Sequence, residues 1–316
     1  MNNVELYAVS VIVATYNPAA EKLWFTLDSI INQEMVNLEI IITDDGSKDN
    51  LFSEIKNYMI KNHFENYKLI SHEKNQGTVL NCYDGVLQAN GDFIKLISPG
   101  DSLTNNKTLC QWINHMVNNK RNWSFGDAIY YINDNRENKV VHRLTNPQIV
   151  SPYVKHDDNA CRWNYLVHND IVLGAATLSS RNITLQYLKK SINKIMYAED
   201  NIYRMMMYDG NVADYYPDDV IFYECSTGIS TAGDSKWRKL LRKDWDVANE
   251  IMISKKHCHD AIQEKIKEQM LKEYSNYKLI KGIQKLPVKG WLYFKLYRVF
   301  KPRKSNIAVD LIGTIE

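Results

Sequence analysis

Two stretches of almost unbroken Val and Ile, "YAVSVIVATYN" and "LEIIITDDGS", constrain this chain more than any other feature in it. A strand that is apolar at nearly every position cannot show one face to water. It belongs in a parallel sheet covered on both sides. Between them, residues 20–33 carry Leu23, Leu27, Ile30 and Ile31 at helical spacing. The alternation continues with a helix over 50–62, the strand "YKLISH", and the helix "GTVLNCYDGVLQAN" with Val79, Cys82, Val86 and Ala89 on one side. The strand "GDFIKLIS" follows. Strand and helix in strict alternation predict a doubly wound α/β domain.

Such sheets bind ligands beyond the carboxyl ends of their strands. The polar residues there are therefore site candidates: Thr15, Tyr16 and Asn17 after the first strand, Asp44 and Asp45 after the second, and Asp101 after the fourth. No GxGxxG follows the first strand and no GxxxxGK[ST] occurs, which argues against dinucleotide and P-loop chemistry.

"VSVIVATYN", "IIITDDGS", "KNQGTVLN" and "GDFIKLISPGD", followed by "AED" near 200 and "STGIST" near 230, occur in an order and spacing that resemble the family 2 glycosyltransferases. The resemblance covers roughly residues 7–235. It implies a GT-A fold, a Rossmann-like nucleotide-diphospho-sugar transferase domain, and a donor held across the first strands, a UDP-sugar being the expectation. By that resemblance Thr15 and Tyr16 lie against base and ribose with Asn17 beside them, Asp45 bonds the base edge, and Asp44 braces the loop. Asn75 and Gly77, Ser98 and Gly100, and Ser230 and Thr231 complete the donor site. A tyrosine ring offers a stacking face and a carboxylate accepts from a pyrimidine N–H, so the residue types suit those tasks. "DDGS" read by itself is equally a turn and helix cap.

The family's fourth strand ends in an Asp-x-Asp cluster that holds a divalent metal against the diphosphate. Here Ser98 and Gly100 stand at the first two acidic positions and only Asp101 remains. Magnesium takes one or two protein carboxylates, and manganese accepts similar oxygen ligands, so the expectation is Mn²⁺ or Mg²⁺ at Asp101, with phosphate and water filling the shell. A plain helix cap is the alternative for Asp101. The resemblance places the catalytic base at Asp200, with Glu199 orienting the acceptor or standing in as base. Both also suit the first turn of a helix. The implied chemistry is a single displacement with inversion, transferring a sugar to a hydroxyl of a glycan or lipid-linked glycan in bacterial surface polysaccharide or capsule assembly. Lys236 or Arg238 could add charge near the phosphates. His142, His156 and His168 fit no zinc spacing, and "RMMMY" reads as core.

Five cysteines without a CxxC pair suggest reduced thiols. No basic segment precedes the first apolar stretch, and no run approaches the ~18 apolar residues of a membrane span. A cytoplasmic protein is expected. Lys278 to Lys304 bring nine basic residues and no acidic one, leaving 30 basic against 37 acidic elsewhere. Within 286–304, "LPVKGWLYFKLYRVFKPRK", an apolar face of Leu292, Leu296, Val299 and Phe300 opposes Lys295, Arg298 and Lys301. That pattern suits peripheral contact with the anionic inner face of a plasma membrane, or packing on the catalytic domain or a second subunit as a homo-oligomer. Nucleic acid is not an expected partner.

The organisation expected is a catalytic domain over 1–235, with its nucleotide half to about 105, and a helical extension over 236–316. "NWSFGDAIYYIND" reads as a strand pair. The first extension helix starts at Asp234 or Ser235 and uses Leu240, Leu241, Trp245 and Val247 as its core face. Two other readings stay open. A sugar nucleotidyltransferase would want a Gly-rich basic loop where "ATYNPAAEK" stands. A non-catalytic nucleotide-sugar binder would explain the missing acids.

Overall fold

The computed structural model describes residues 6–134, 137–144, 147–225, 235–283 and 313–314. Both apolar runs are strands, β1 (Tyr7–Thr15) and β2 (Val36–Asp44), separated by α1 (Ala20–Ile31). α2 (Phe52–Lys61), β3 (Tyr67–Ser71), α3 (Thr78–Leu87), β4 (Phe93–Ile97), β5 (Ser102–Leu103) and α4 (Thr108–Asn118) complete the first half. β1 pairs in parallel with β2 on one side and with β4 on the other, and β2 pairs in parallel with β3. The order β4-β1-β2-β3 thus reverses its direction of growth at β1. α1 and the segment after β4 share one face, where Leu23 and Leu27 pack in one core with Leu103, Leu109 and Trp112. β1, β2 and β4 end side by side, and in such sheets ligands bind in a crevice beyond those carboxyl ends.

The alternation of side chains along β1 explains why it is apolar throughout. Val9, Val11 and Val13 pack with Leu23, Leu27, Ile30, Ile55 and Met59 of α1 and α2. Ile12 faces the other layer, with Val79, Cys82 and Val86 of α3. Each such side chain removed from water contributes ~1.5–3 kcal/mol, and the two layers together fix the strand register.

The second half continues the same sheet with antiparallel members. These are β6 (Trp123–Asp134), β7 (Glu137–Leu144), β8 (Thr177–Ser180) and β9 (Asp214–Glu224). β8 lies between β4 and β6, while β9 runs parallel to β6 and antiparallel to β5. Residues 123–134 form one long strand rather than the expected pair; its hairpin partner is the following β7. A two-residue strand, Gly313–Thr314, pairs with β7. The helices here are α5 (Ser151–Val154), α6 (Asp158–Leu166), α7 (Arg181–Ser191) and α8 (Asn201–Tyr208). α8 is buried along its whole length, including Met205, Met206 and Met207, as "RMMMY" suggested.

Two helices follow, α9 (Ser235–Ile253) and α10 (Ala261–Ile283). The buried stripe of α9 is Asp244, Ala248 and Met252, at i, i+4 and i+8. The expected face of Leu240, Leu241, Trp245 and Val247 is only half-buried. A carboxylate heads the buried stripe because it has a task there, described below. All five cysteines are free. His156 and His168 are exposed loop residues. The basic segment 286–304 lies outside the described residues. Among those described, no helix is long and apolar enough to cross a membrane.

Candidate active site

The residues at the ends of β1 and β2 are tied to one another before any ligand is considered. Thr15 donates its hydroxyl to the Thr43 carbonyl (3.0 Å) and lies 3.1 Å from the Asp44 carboxylate. Asp44 also accepts from the Ser47 N–H (2.8 Å) and hydroxyl (2.5 Å), so it braces the "DDGS" turn. Asn17 adopts a left-handed backbone (φ 44°), donates its N–H to Ser47 (2.6 Å) and accepts from the Lys48 N–H (3.2 Å). Tyr16, between these anchored neighbours, is 54% exposed.

Asp45 is placed differently from the expectation of a carboxylate presented to a base. It is buried, and its two oxygens accept from the N–H groups of Gln76 (2.8 Å) and Gly77 (2.8 Å). One of them also meets His72 Nδ1 (3.1 Å), whose other nitrogen reaches Asp84 (2.9 Å). Asp45 therefore holds the loop that carries Asn75 and Gly77 onto the "DDGS" turn. The fit is close: a Cβ on Gly46 (φ +73°) would lie 2.5 Å from the Lys74 carbonyl carbon. Gly77 (φ +98°) is pressed likewise against the Met196 carbonyl oxygen, 2.4 Å from where a Cβ would stand. Only glycine meets both demands at these positions.

That contact leads to the second carboxylate pair. Val79 donates its N–H to Met196 O (3.1 Å), and the next three N–H groups, of Met196, Tyr197 and Ala198, all converge on Asp244 of α9 at 3.1, 2.6 and 3.0 Å. Glu199 and Asp200 follow at once. Asp200 stands at the start of α8 with its Cβ 2.9 Å from where a side chain on Gly174 would begin, so the turn Gly174–Ala176 admits it only because residue 174 has none.

Burial raises the Glu199 carboxyl well above its ordinary range, and the charge of Asp200 raises it further, with Asp101 and Asp244 adding to it. Burial raises Asp200 as well, but here the Arg204 guanidinium opposes the shift. Arg204 is itself buried, stacked 3.4 Å over Trp245 and bonded to Asn249 (2.7 Å), both on α9. The two neighbours thus differ in what surrounds them. Asp200 has a fixed cation and is favoured as the ionised member; Glu199 is favoured as the protonated one.

The Ser98–Asp101 turn completes the crevice. Gly100 has φ +106°, and its N–H donates to Lys22 O (3.2 Å) and Thr26 Oγ1 (2.9 Å) of α1. Tyr131 donates its hydroxyl to the Gly100 carbonyl. Ser98 is exposed. Asp101 is 5% exposed and accepts the Glu224 N–H (3.0 Å). Burial pushes its carboxyl up to about 7, against which the Glu224 N–H and then Lys95 act. Lys95 is wholly buried in β4, bonded to the carbonyls of Leu96 (2.9 Å) and Ala175 (2.5 Å); burial pushes it down to about 7. Lys95 and Asp101 are near enough for the charge of each to oppose the shift that burial imposes on the other. Glu224 is paired directly, with Lys22 at 2.9 Å.

The Mn²⁺ or Mg²⁺ expected at Asp101 would meet few open ligands. One Asp101 oxygen is already an acceptor within the protein, Glu224 is paired with Lys22, and among the described residues no group of three His, Cys, Asp or Glu side chains could hold a metal. The described residues do not fit a resident divalent cation.

The charges of these groups reach common neighbours. Asp101 acts on Glu199. The Cys82 thiol is raised by burial, then by Glu199 and Asp45. The Tyr197 hydroxyl is raised by burial, then by Asp244, Asp45 and Tyr16. Asp45, Asp101 and the Glu199–Asp200 pair therefore surround common ground. Lys236 and Arg238 sit in the first turns of α9, while Ser230 and Thr231 lie outside the described residues. Sequence reasoning missed Lys22, His72, Lys95, Arg204, Glu224 and Asp244. Two carried a signal: Lys95 is a charge inside an apolar strand, and Asp244 is an acid on the apolar stripe of its helix.

Comparison with known proteins agrees with this architecture. An uncharacterized glycosyltransferase of Haemophilus influenzae is 32% identical over 123 residues, covering 38% of this chain and 48% of that protein. A Campylobacter jejuni protein named GalNAc(5)-diNAcBac-PP-undecaprenol beta-1,3-glucosyltransferase is 36% identical over 95 residues, 30% of each chain. The chain spans about half or less of the length of these relatives. Among solved structures, a Pyrobaculum calidifontis mannosyltransferase in complex with GDP-Man and Mn²⁺ superposes with a TM-score of 0.59 at 14% identity, over 84% of this chain and 69% of that one. Staphylococcus aureus TarS 1-349 with UDP-GlcNAc gives 0.55 at 17%, over 84% and 71%. At such identities the likeness is one of fold, the GT-A fold. The model of glycosyl transferase family 2 matches residues 10–181, more than half of the chain and the part that holds the β1–β4 crevice. With the crevice, the sheet order and this match in agreement, the chain belongs to glycosyl transferase family 2.

Proposed function

We propose that this protein transfers a sugar, with inversion, from a nucleotide-diphospho-sugar to a hydroxyl of a glycan or lipid-linked glycan. The observation that carries the reading is the Glu199–Asp200 pair: two adjacent half-buried carboxylates with raised proton affinity, in electrostatic reach of the Asp101 turn where a donor's diphosphate would lie. The donor sits over the ends of β1, β2 and β4. Its base rests against Tyr16, in a pocket that Asp45 shapes by holding the Asn75–Gly77 loop. Asp200 accepts the proton of the incoming hydroxyl, the freed oxygen attacks the anomeric carbon, and the sugar–phosphate bond breaks with its electrons leaving on the diphosphate. Such a base is worth ~10²–10⁴-fold in rate. Glu199, favoured as the protonated acid, donates a hydrogen bond that orients the acceptor.

UDP is the expected nucleotide, and the solved structures of similar fold with UDP-GlcNAc and with GDP-Man support a nucleotide-sugar donor of this class. A lipid-linked acceptor is supported by the name of the Campylobacter relative. The Mn²⁺ or Mg²⁺ of the sequence reading has only Asp101 to anchor it, so the reaction as drawn has no metal-bound step. A second reading, nucleotide-sugar binding without turnover, is favoured by Ser98 and Gly100 standing where acids were expected. Donor turnover measured across UDP-, GDP-, CDP- and dTDP-sugars separates the two. Consumption of one or two donors is the expected result; binding of a donor with no turnover in the presence of glycan and lipid-diphosphate acceptors contradicts the enzymatic reading.

A further inference from the structure

Gly100 occupies an expected acid position, and the structure shows what took the vacated space. A Cβ on Gly100 would stand 3.3 Å from Glu224 Cβ and 3.4 Å from Lys22 Cδ. An aspartate there would be strained by the backbone, φ +106°, and would lie in contact with both. Lys22 is not a passing surface residue: its own carbonyl accepts the Gly100 N–H, and Thr26 one turn later bonds the backbone on both sides of the Gly100–Asp101 peptide, accepting from Gly100 N–H and donating to Asp101 O (2.7 Å). The first turn of α1 is thus stitched to the turn that follows β4. The Lys22 ammonium is fixed by Glu224 at 2.9 Å yet keeps a quarter of its side chain in solvent, whereas Lys95 beneath the same turn has none.

We propose that Lys22, anchored by Glu224 at the Ser98–Asp101 turn, is the cation that meets the diphosphate of the donor, in the place where the family pattern would put a carboxylate-bound metal. The inference rests on the nucleotide-sugar reading above. Its second support is the use already made of the two carboxylates at the turn. Asp101 accepts the Glu224 N–H and Glu224 grips Lys22, so each has a protein partner before a divalent cation arrives. A diphosphate entering here does meet an ammonium that reaches solvent, at a strand end where Gly100 leaves the backbone open to close approach. A buried-side carboxylate that holds the lysine head in one position lowers the ordering cost of the contact.

The test is nucleoside diphosphate binding in EDTA, read by calorimetry on the full chain, with UDP, GDP, CDP and dTDP as probes and the matching nucleosides as controls. Wild type is expected to bind one of the diphosphates without added metal. Lys22→Gln should weaken that diphosphate by about 10-fold or more, the worth of a charge-assisted hydrogen bond, while leaving the nucleoside unchanged. Lys22→Arg should restore most of the loss. Because Lys22→Gln removes the lysine from the nearly buried Glu224, the double variant Lys22→Gln/Glu224→Gln is measured beside it, and it should show the same selective loss with wild-type melting behaviour. Equal diphosphate affinity in wild type and both variants overturns the role of Lys22, as does wild-type binding that appears only on adding Mn²⁺ or Mg²⁺. Absence of binding for every diphosphate, with and without metal, overturns the donor reading itself.

Discussion

Two sets of carboxylates in this molecule are held in opposite ways. Asp44, Asp45 and Asp244 are pointed at backbone N–H groups and hold loops; between them they fix residues 47, 76, 77 and 196–198. Glu199 and Asp200 sit on the segment so held, and burial raises their proton affinity. The side chains are chemically alike. What separates a brace from a proposed base is what meets the oxygens: N–H groups hold Asp44, Asp45 and Asp244, whereas desolvation dominates at Glu199 and Asp200. The bracing acids form a relay from "DDGS" through the Gly77 loop to Met196 and α9. The Glu199–Asp200 pair, proposed above as the reactive one, is thus placed directly by Asp244 of α9 and, through the Gly77 loop, by Asp45 at the other end of the sequence.

The contrast breaks if bracing acids behave like reactive ones. Asp200→Asn should have the largest effect on rate, a loss of ~10²–10⁴ in kcat with donor affinity kept, because only the proton acceptor is removed. Initial-rate kinetics with the true acceptor check it. Asp244→Ala should instead cost stability, ~1–3 kcal/mol for each buried N–H left unpaired, and lower kcat along with it; urea midpoints and kinetics on the same preparation check it. A rate loss at unchanged stability would move Asp244 into the reactive set. Gly77→Ala forces a left-handed residue against the Met196 carbonyl and should cost about 1–3 kcal/mol, with both donor affinity and rate impaired.

Glu39 gives the smallest effect and the cleanest sign. Burial would raise its carboxyl, but the Asn90 N–H, Lys68 and the Ser10 hydroxyl outweigh burial and hold it below the ordinary range. A depressed folded value contributes stability above the unfolded value of about 4.3, and the contribution is lost as pH falls through the lowered folded value. Glu39→Gln should therefore be destabilised by roughly 1 kcal/mol at pH 7. The gap to wild type should close as the pH is taken into the acid range below that of a free glutamate.

Sequence made the sheet legible because β1 and β2 are apolar on both faces, a pattern with one structural solution. It also made the strand-end residues legible, since Asp44, Asp45 and Asp101 fall where such sheets place ligands. It did not tell which of them face inward. Asp45 was read as a ligand contact because sequence does not show that the Gln76 and Gly77 N–H groups meet it. Lys22, Glu224 and Asp244 were missed because each works through a partner from a distant element, 202 positions apart for Lys22 and Glu224. "NWSFGDAIYYIND" misled because its Gly126 looks like a turn, whereas the absent side chain makes room for Val220 of β9, 2.4 Å from where a Cβ would be.

The most direct test of the central claim, that the desolvated Glu199–Asp200 pair performs the proton transfer, is the pH dependence of kcat for sugar transfer, compared between wild type and Asp200→Asn. The base must be ionised to act, so the wild-type rate should rise with pH along a limb lying above the ordinary carboxylate range near 4, as its raised proton affinity requires. In Asp200→Asn that limb should be missing from whatever rate remains. A wild-type limb no higher than that of an ordinary carboxylate, or a limb that survives in Asp200→Asn, would contradict the account.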